Sequence, residues 1–260
     1  MYIDFADIDE GYEALAEKKF TIAIHDLDMN YSSTLPIIGN FFYDVGIVHG
    51  PVVFKDTGIM NKDVVFVLKK FRLMIDRYPA LRESFTVRSW ISPVDHKYAI
   101  RNYHLLDESG NIFGRAIYAT AAFNLKERVG VDISKNANIS KAKTLNVEPA
   151  LPIVFENLSN VDSPDYESNI DVRYFDCDFF RHVTHVKYME WCIESMPVEF
   201  LRKHRLYEME LNFKSESSIG ERLIVKTCAA SAKNTFLHSI TGEDGRRDIV
   251  RMKSVWKSSN

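Results

Sequence analysis

The stretch "RLMIDRYPALRESFTVRS" (72–89) aligns with "ELNFKSESSIGERLIVKT" (210–227) without a gap. Each stretch follows a predicted helix and leads into a block of predicted strands. The residues before the two helices correspond as well, since an Asp-x-Asp motif stands at 26–28 and again at 176–178. A period this long predicts the tandem duplication of a whole domain rather than a solenoid of short repeats.

Each half has the same predicted order of elements, namely a strand, a helix and four strands. The first helix is predicted at 33–50, where Gly50-Pro51 ends it, and the second at 182–196, where Pro197 ends it. Apolar residues at helical spacing mark one face of the first helix: Leu35, Ile38, Phe42, Val45 and Val48. The corresponding face of the second helix carries Val183, Val186, Met189, Ile193 and Met196. The predicted strands are 18–28, 62–76, 83–92, two within 97–125, 168–178, 207–217, 221–232, 235–245 and 247–257.

The segment between the halves differs in composition. Residues 134–167 are rich in Ser, Asn, Lys and Pro and have little periodicity, which is typical of a surface linker. The predicted domains are therefore 1–133 and 168–260. A sheet with a single helix has an unpaired edge and a poorly covered face, and a second copy in the same chain can cover both. The sequence predicts an α+β fold of two tandem hot-dog domains, each a curled antiparallel sheet around one long α-helix.

The composition excludes several classes of protein. Hydrophobic residues make up 46% of the chain and the formal net charge is -3, so no overall attraction to nucleic acid or to a membrane is expected. The acidic N-terminus does not resemble a signal peptide or a membrane anchor. No stretch is expected to approach the roughly 18 apolar residues that a membrane-spanning helix needs. Three widely spaced cysteines indicate reduced thiols and a cytoplasmic protein. Without a nucleotide-binding glycine motif or metal-ligand spacing, no cofactor and no metal are expected.

The stretch "DCDFFRHVTHVKYMEWCIES" (176–195) places two acids and two histidines at the predicted start of the second helix. It resembles the signature D-x-D-x-N-x-H-V-N-N-x-K-Y-x-x-W of the acyl-ACP thioesterases. Residues 71–125 resemble the long strand block of the same family, with its Arg-Tyr-Pro step, its Val-Arg-Ser-Trp strand and its Asp-x-x-Gly-x-x-x-Gly-Arg-Ala hairpin. The resemblance covers nearly the whole chain.

The resemblance implies a cytoplasmic hydrolase that releases fatty acids from acyl carrier protein. By position, the catalytic residues are Asp178, His182 and Glu216. Acyl carrier protein is the expected partner, and a homodimer is left open. Because that carrier is acidic, the basic stretches 68–72 and 201–205, together with Arg77 and Arg82, are candidates for its docking, with a plain solvated surface as the alternative.

The sequence departs from the family pattern within the site. Phe180 occupies the position of the family's asparagine, Thr184 and His185 replace the two asparagines after the valine, and Ser217 stands where plant members have a cysteine. His185 could substitute for a missing polar group or be structural. No nucleophile elbow surrounds Ser217, which argues against a serine nucleophile.

The N-terminal half has a related motif that lacks the histidine. Asp28 and Asn30 match the Asp and Asn of the signature, whereas Ser32 stands at the His position. Asp28 is interpreted as a helix cap, and a composite site that uses Asn30 is an alternative. In the family the N-terminal helix lines the acyl pocket, so its apolar face is expected to serve as core and pocket wall. The residues expected to line or shorten that pocket are Leu35, Ile38, Phe41, Phe42, Val45 and Phe66.

Thioester hydrolysis requires an activated water molecule and donors for the oxyanion. Histidine suits the role of base because its ordinary pKa is about 6.5. His182 is predicted to begin the helix, where free backbone N–H groups could polarise the carbonyl. Asp178 could also be a helix cap and Glu216 a solvated carboxylate at a strand end. Either His182 or Glu216 could accept the proton from water.

Three functions are therefore considered. The first is hydrolysis of acyl-ACP, the second is hydrolysis of acyl-CoA, and the third is binding of acyl groups without catalysis. The acid and histidine residues favour the two hydrolases, whereas Phe180 favours the binding protein. Fold alone does not distinguish them.

Overall fold

The computed structural model describes residue 8 and residues 10–61, 63–94 and 97–259. It consists of two compact units. The first contains most of the chain up to Val154, and the second contains Phe155–Asn260 together with the short segments Leu35–Ile37 and Arg72–Ile75. The two units thus divide the predicted linker 134–167 between them, and the predicted boundaries 1–133 and 168–260 stay a prediction. Residues 1–7 and residue 9 of the acidic N-terminus lie outside the described residues.

The N-terminal unit contains one long helix and an antiparallel sheet. The sheet has the order β1-β3-β4-β5-β2, and β6 pairs with β5. The elements are β1 Leu15–Thr21, α1 Leu35–Phe54, β2 Val64–Ile75, β3 Ser84–Ile91, β4 Tyr98–Leu106, β5 Ile112–Asn124 and β6 Val129–Val131.

The C-terminal unit repeats this plan. Its sheet has the order β8-β11-β10-β9-β7, again antiparallel. The elements are β7 Tyr166–Asp171, α2 His185–Glu194, α3 Val198–Lys203, β8 His204–Phe213, β9 Arg222–Ala229, β10 Thr235–Gly242 and β11 Asp248–Ser258. The two units confirm the prediction of an α+β protein with two tandem hot-dog domains.

The gap-free alignment also holds in three dimensions. β2 ends at Ile75 and β3 begins at Ser84, while β8 ends at the aligned Phe213 and β9 begins at the aligned Arg222. Backbone bonds recur at aligned positions, because Asp76 N–H donates to Phe113 O at 2.8 Å and Lys214 N–H donates to Ile249 O at 2.8 Å. The loops between these strands therefore correspond residue by residue.

The apolar face of α1 forms much of the N-terminal core. All five residues predicted from its spacing are buried, and Ile38, Phe42 and Val45 are completely so. Contrary to the expectation that no apolar run reaches spanning length, Leu35–Thr57 is long and apolar enough to cross a membrane by length and composition alone. The stacking of Phe42 on Tyr103, with centroids 4.6 Å apart, gives this apolar face a place within the protein core.

The linker is less exposed than its composition indicated. Leu151, Leu158 and Val161 are buried, and the Ala150 N–H donates to Asn102 Oδ1 at 3.0 Å. The Glu156 N–H donates to the Glu210 carboxylate at 2.6 Å. Parts of 134–167 thus pack against their own units, because a few apolar residues suffice to anchor a segment without periodicity.

Several element boundaries were wrong for a common reason. Both leading strands end earlier than predicted, at Thr21 and Asp171, and each is followed by a 3₁₀ turn. In each turn an aspartate, Asp26 or Asp176, accepts the backbone N–H three residues before it at 2.8 Å. A side chain that captures a nearby backbone donor competes with strand pairing. The short helix α3 was not predicted.

Both units bury histidines. His49 in α1 accepts a hydrogen bond at Nδ1 from the Arg101 guanidinium at 2.9 Å, so its Nε2 carries the hydrogen donated to Glu13 O at 2.8 Å. Burial, reinforced by Arg101, lowers the pKa of His49 to about 3. His238 in β10 lies between Thr227 and Ser254, and burial lowers its pKa to about 3. Both imidazoles are neutral near pH 7.

Candidate active site

The loop before α2 is closed by its own backbone. Asp178 N–H donates to His182 O at 2.9 Å, and Arg181 N–H donates to Asp178 O at 2.9 Å. Arg181 adopts a left-handed conformation with φ 66° to complete the turn. The Asp178 carboxylate accepts the N–H of Phe180 at 2.8 Å and also that of His182. This aspartate therefore organises the loop that carries the histidine.

The structure brings His182 and Glu216 together. Their Nε2 and Oε2 atoms lie 3.4 Å apart, with 42% of the His182 side chain and 60% of the Glu216 side chain exposed. Glu216 lies in the loop after β8 and not within a strand, as had been predicted, because β8 ends at Phe213. The site is therefore open to solvent and to a substrate that approaches from outside.

Asp178 completes this group of ionisable residues. Burial raises the pKa of Asp178 above its ordinary value, the backbone N–H groups of Phe180 and His182 oppose this, and the charge of Glu216 adds to it. The alternative that Asp178 caps the helix is wrong, because the residue preceding α2 is Thr184. The carboxylate is used within the loop instead, which places its charge near His182.

His182 does not begin the helix. Helix α2 begins three positions later, at His185, and the backbone donors of the two residues between them are occupied. Val183 N–H donates to Ser217 O at 2.9 Å, and Thr184 N–H donates to Asp176 O at 3.0 Å. The prediction that free N–H groups beside His182 polarise a carbonyl is therefore wrong for these two groups.

Phe180 presents an exposed ring at the tip of the loop. Its ring contacts that of Phe179 in a tilted arrangement, with centroids 4.4 Å apart, and the residue is 42% exposed. Only its backbone N–H takes part in the hydrogen bonds that close the loop. The aromatic replacement thus leaves the backbone of the loop intact.

The other departures from the signature have separate consequences. Burial lowers the pKa of His185 to about 4, so this imidazole is neutral near pH 7. Ser217 is completely buried, and its polar neighbour is the Tyr188 hydroxyl rather than a base. A buried hydroxyl without a base is not an activated nucleophile. Nor do the described residues include a group of three or more His, Cys, Asp or Glu placed to hold a metal ion.

The N-terminal unit contains the same loop without the histidine. Asp28 accepts the N–H of Asn30 at 2.8 Å and that of Ser32 at 3.2 Å, and Asp28 N–H donates to Ser32 O at 2.8 Å. Tyr31 takes the left-handed conformation, with φ 57°. The interpretation of Asp28 as a helix cap is wrong, since α1 begins only at Leu35.

The residues expected to line an acyl pocket are tightly packed. Phe41 contacts Phe20 with centroids 4.6 Å apart, and Phe54 stacks on Phe66 with centroids 4.9 Å apart. A surface depression of about 420 Å³ does occur in this unit, but its lining includes charged residues. They are Glu17, Lys19, Arg88, Asp107 and Glu108. That lining does not suit an acyl chain, so the pocket beneath α1 stays a prediction.

Comparison with known proteins identifies the family. Residues 13–138 match the N-terminal domain and residues 160–258 the C-terminal domain of acyl-ACP thioesterases. The chain belongs to the acyl-ACP thioesterase family. This family member has a fold similar to that of an acyl-ACP thioesterase from Bacteroides thetaiotaomicron, with a TM-score of 0.81, 21% identity and coverage of 94% of this chain and 98% of the other. The 12:0-ACP thioesterase from Umbellularia californica also has a similar fold, with a TM-score of 0.82, 18% identity and coverage of 95% of this chain and 99% of the other.

Relatives of this acyl-ACP thioesterase family member include plant proteins. An acyl-[acyl-carrier-protein] hydrolase of Cuphea viscosissima, FATB1, chloroplastic, is 22% identical across 95% of this chain and 62% of its own length. The oleoyl-acyl carrier protein thioesterase 1, chloroplastic, of Arabidopsis thaliana is 25% identical across 93% of this chain and 75% of its own length. The chain thus spans about three fifths of the length of the FATB1 relative.

One residue near the site was overlooked in the sequence. The Tyr188 hydroxyl accepts the N–H of Ser217 at 3.1 Å, directly beside Glu216. In the sequence, Tyr188 stands at the Tyr of the signature quoted above, but its type and spacing along the helix assign it no role. A comparison with the matching position in the N-terminal unit, which is Ile38, indicates that a hydroxyl is present in only one unit.

Proposed function

We propose that this chain hydrolyses the thioester of acyl-acyl carrier protein and releases a free fatty acid. The observation that carries the proposal is the 3.4 Å approach of His182 Nε2 to Glu216 Oε2 in a family of thioester hydrolases. The names of the FATB1 and Umbellularia californica relatives support acyl-ACP as the substrate class. Asp178, His182 and Glu216 come from one chain, so the proposal needs no second copy.

The proposed reaction uses water as the nucleophile. Glu216 orients the imidazole of His182 through Nε2, which leaves Nδ1 to accept a proton from water. The water oxygen bonds to the thioester carbon, the carbon–sulfur bond breaks, and the imidazolium returns the proton to the departing thiolate. Asp178 holds the His182 backbone, and its negative charge lies near the imidazole that becomes positive during the reaction.

Phe180 alters the site without removing its base. The family's asparagine would offer a polar side chain at this position, whereas the Phe180 ring is apolar and exposed. Loss of one oxyanion donor costs about 10²–10³ in rate in measured cases. We therefore propose a working enzyme whose turnover is limited by this replacement.

Docking of the acidic carrier is proposed on the basic stretches 68–72 and 201–205, together with Arg77 and Arg82. Three of the candidate arginines are engaged by neighbouring acids: Arg72 contacts Glu208 at 2.9 Å, Arg77 contacts Glu83 at 2.7 Å, and Arg202 contacts Glu199 at 2.8 Å. Exposed pairs of this kind contribute little attraction for a distant partner. We also propose that the reaction takes place in the cytoplasm, which is supported by three free cysteines.

The decisive experiment is a thiol-release assay on purified protein. Acyl-ACP and acyl-CoA of several chain lengths are compared side by side, at low and high salt. Faster release from acyl-ACP, with a rate that falls as salt screens the carrier contact, is expected. Equal release from both carriers would assign the activity to acyl-CoA as well. Background release, with fatty acid still raising the unfolding temperature, would favour the acyl-binding protein.

A further inference from the structure

We infer that Tyr188 is a positioning residue that holds the Glu216 loop against His182. The inference rests on the proposed function for its catalytic consequence. Tyr188 lies on α2, is buried with 3% of its surface exposed, and its hydroxyl accepts the Ser217 N–H at 3.1 Å. Burial raises the pKa of Tyr188 to about 12, so the hydroxyl keeps its proton at any working pH.

Ser217 is held from two sides by residues of the catalytic segment. Its carbonyl oxygen accepts the N–H of Val183, the residue after His182, at 2.9 Å. Its own N–H donates to the Tyr188 hydroxyl. Both the N–H and the carbonyl of Ser217, the residue after Glu216, are therefore hydrogen-bonded to the segment that carries the histidine. A clamp on the residue next to Glu216 determines where its carboxylate can reach.

The beginning of the loop is fixed differently. Lys214 N–H donates to Ile249 O at 2.8 Å and Ser215 Oγ donates to Asp248 O at 2.7 Å, which attaches it to β11. Glu216 thus lies between an attachment to the sheet and an attachment to α2. Without the Tyr188 hydroxyl, the Ser217 N–H would lose this acceptor, and the Val183 bond to the Ser217 carbonyl would remain.

The N-terminal unit provides a natural comparison. Ile38 stands at the same distance from Asp28 as Tyr188 from Asp178, and Pro79 aligns with Ser217. Isoleucine has no hydroxyl and proline has no N–H, so neither partner of the clamp exists there. The carbonyl of Pro79 is still held, because Ser33 Oγ donates to it at 2.7 Å. The bond to the carbonyl occurs in both units, whereas the tyrosine clamp occurs only in the unit with the histidine and the glutamate.

The test is a double-mutant cycle on thiol release from acyl-ACP. Tyr188→Phe keeps the ring contacts with Trp191 and Phe213 and removes only the hydroxyl. We expect kcat to fall about 10-fold with KM changed less than about twofold, since a small misplacement of a catalytic group costs up to about 10²-fold. In a Glu216→Gln background the same substitution should change kcat less than about twofold, because there is no carboxylate left to position.

Thr227→Val is the matched control. It removes a partly buried hydrogen bond to Ser195 and a buried one to His238 in the same unit, and it keeps the shape of the side chain. Its stability loss should resemble that of Tyr188→Phe, while kcat stays within about twofold of the parent. An equal 10-fold loss from Tyr188→Phe in the parent and in the Glu216→Gln background would overturn the inference.

An independent measurement separates the clamp from the activity. Hydrogen exchange of the Ser217 amide should be about 10-fold faster in Tyr188→Phe and unchanged in Thr227→Val. Unchanged exchange at Ser217 in Tyr188→Phe would overturn the clamp whatever the kinetics show. Background turnover in the parent protein would overturn the proposed function, and the amide measurement would still decide the clamp.

Discussion

The loop before α1 and the loop before α2 have the same backbone hydrogen bonds. In both, an aspartate accepts two N–H groups, and its own N–H donates to the carbonyl four residues later, at Ser32 in one loop and at His182 in the other. The side chains at matching positions differ, since Asn30 aligns with Phe180 and Ser32 aligns with His182. The comparison teaches that the aspartates are needed for the loop shape in both units, so their presence alone does not identify a catalytic centre.

The second loop differs because its last residue, His182, lies next to the carboxylate of Glu216. Tyr78 aligns with Glu216, so the N-terminal unit has neither the imidazole nor the carboxylate of the His182–Glu216 pair. The C-terminal unit adds the Tyr188 hydroxyl to the same framework. One duplicated scaffold thus supports a structural loop in one unit and a loop with ionisable groups in the other.

Removal of the imidazole should produce the largest difference between the loops. His182→Ala is expected to lower kcat/KM by about 10²–10⁴, the usual contribution of a general base. Ser32→Ala, at the matching position, should leave thiol release within about twofold of the parent. Equal rates for His182→Ala and the parent protein would refute the role given to His182.

Exchange of the aromatic for the amide should have the next largest effect. Phe180→Asn introduces the side chain that the other loop already carries, and its backbone N–H still donates to Asp178. We expect kcat to rise by about 10-fold or more, because one donor to an oxyanion is worth about 10²–10³ in measured cases. The reciprocal Asn30→Phe should not alter thiol release. A fall in kcat for Phe180→Asn would mean that the ring itself belongs to the working site.

Neutral aspartate variants should separate loop shape from charge. Asp28→Asn and Asp178→Asn each keep an oxygen acceptor for the loop N–H groups, so each should change the free energy of unfolding by less than about 1 kcal/mol. Of the two variants, only Asp178→Asn should also reduce kcat, by about 10-fold, because Asp178 interacts with His182 whereas Asp28 belongs to the loop without a histidine. Denaturant unfolding and the thiol-release assay measure the two effects. A similar kcat for both variants would show that the Asp178 charge has no part in catalysis.

Acid should destabilise both units through their buried histidines. His49 and His238 each have a folded pKa of about 3, below the ordinary value of 6.5, so the unfolded chain binds protons first as the pH falls. Above pH 6.5 both histidines are neutral in the folded and unfolded chain, and the free energy of unfolding is not reduced by them. It falls as the pH decreases from 6.5 to about 3. Each histidine should lower the free energy of unfolding by about 1.4 kcal/mol per pH unit in that range.

Denaturant titrations at pH 7.5, 6.5 and 5.5 test this expectation. His238→Asn should reduce the slope of unfolding free energy against pH by about 1.4 kcal/mol per pH unit, which corresponds to one proton. Its stability at pH 7.5 should also fall, because the hydrogen bonds to Thr227 and Ser254 are lost. An unchanged slope in His238→Asn would place the acid sensitivity in other groups. His49→Asn provides the corresponding measurement in the N-terminal unit.

Much of this architecture could be predicted because it is periodic. The spacing of Ile38, Phe42 and Val45 predicts a buried helix face, and a face of that kind is buried wherever it finds a sheet. The aligned strands around 72–89 and 210–227 predict a duplicated unit for the same reason. The ends of the elements were less predictable, because side chains such as Asp26 and Asp176 capture backbone donors that a strand would otherwise use.

The sequence by itself determined the duplication, the order of elements and the candidates Asp178, His182 and Glu216, since these depend on residue type and spacing along the chain. Only the tertiary structure decided that His182 and Glu216 meet at 3.4 Å, that Asp178 holds a loop and does not cap a helix, and that Tyr188 contacts Ser217. Contacts between residues far apart in the chain depend on how loops close over a packed helix, and local spacing does not encode that geometry.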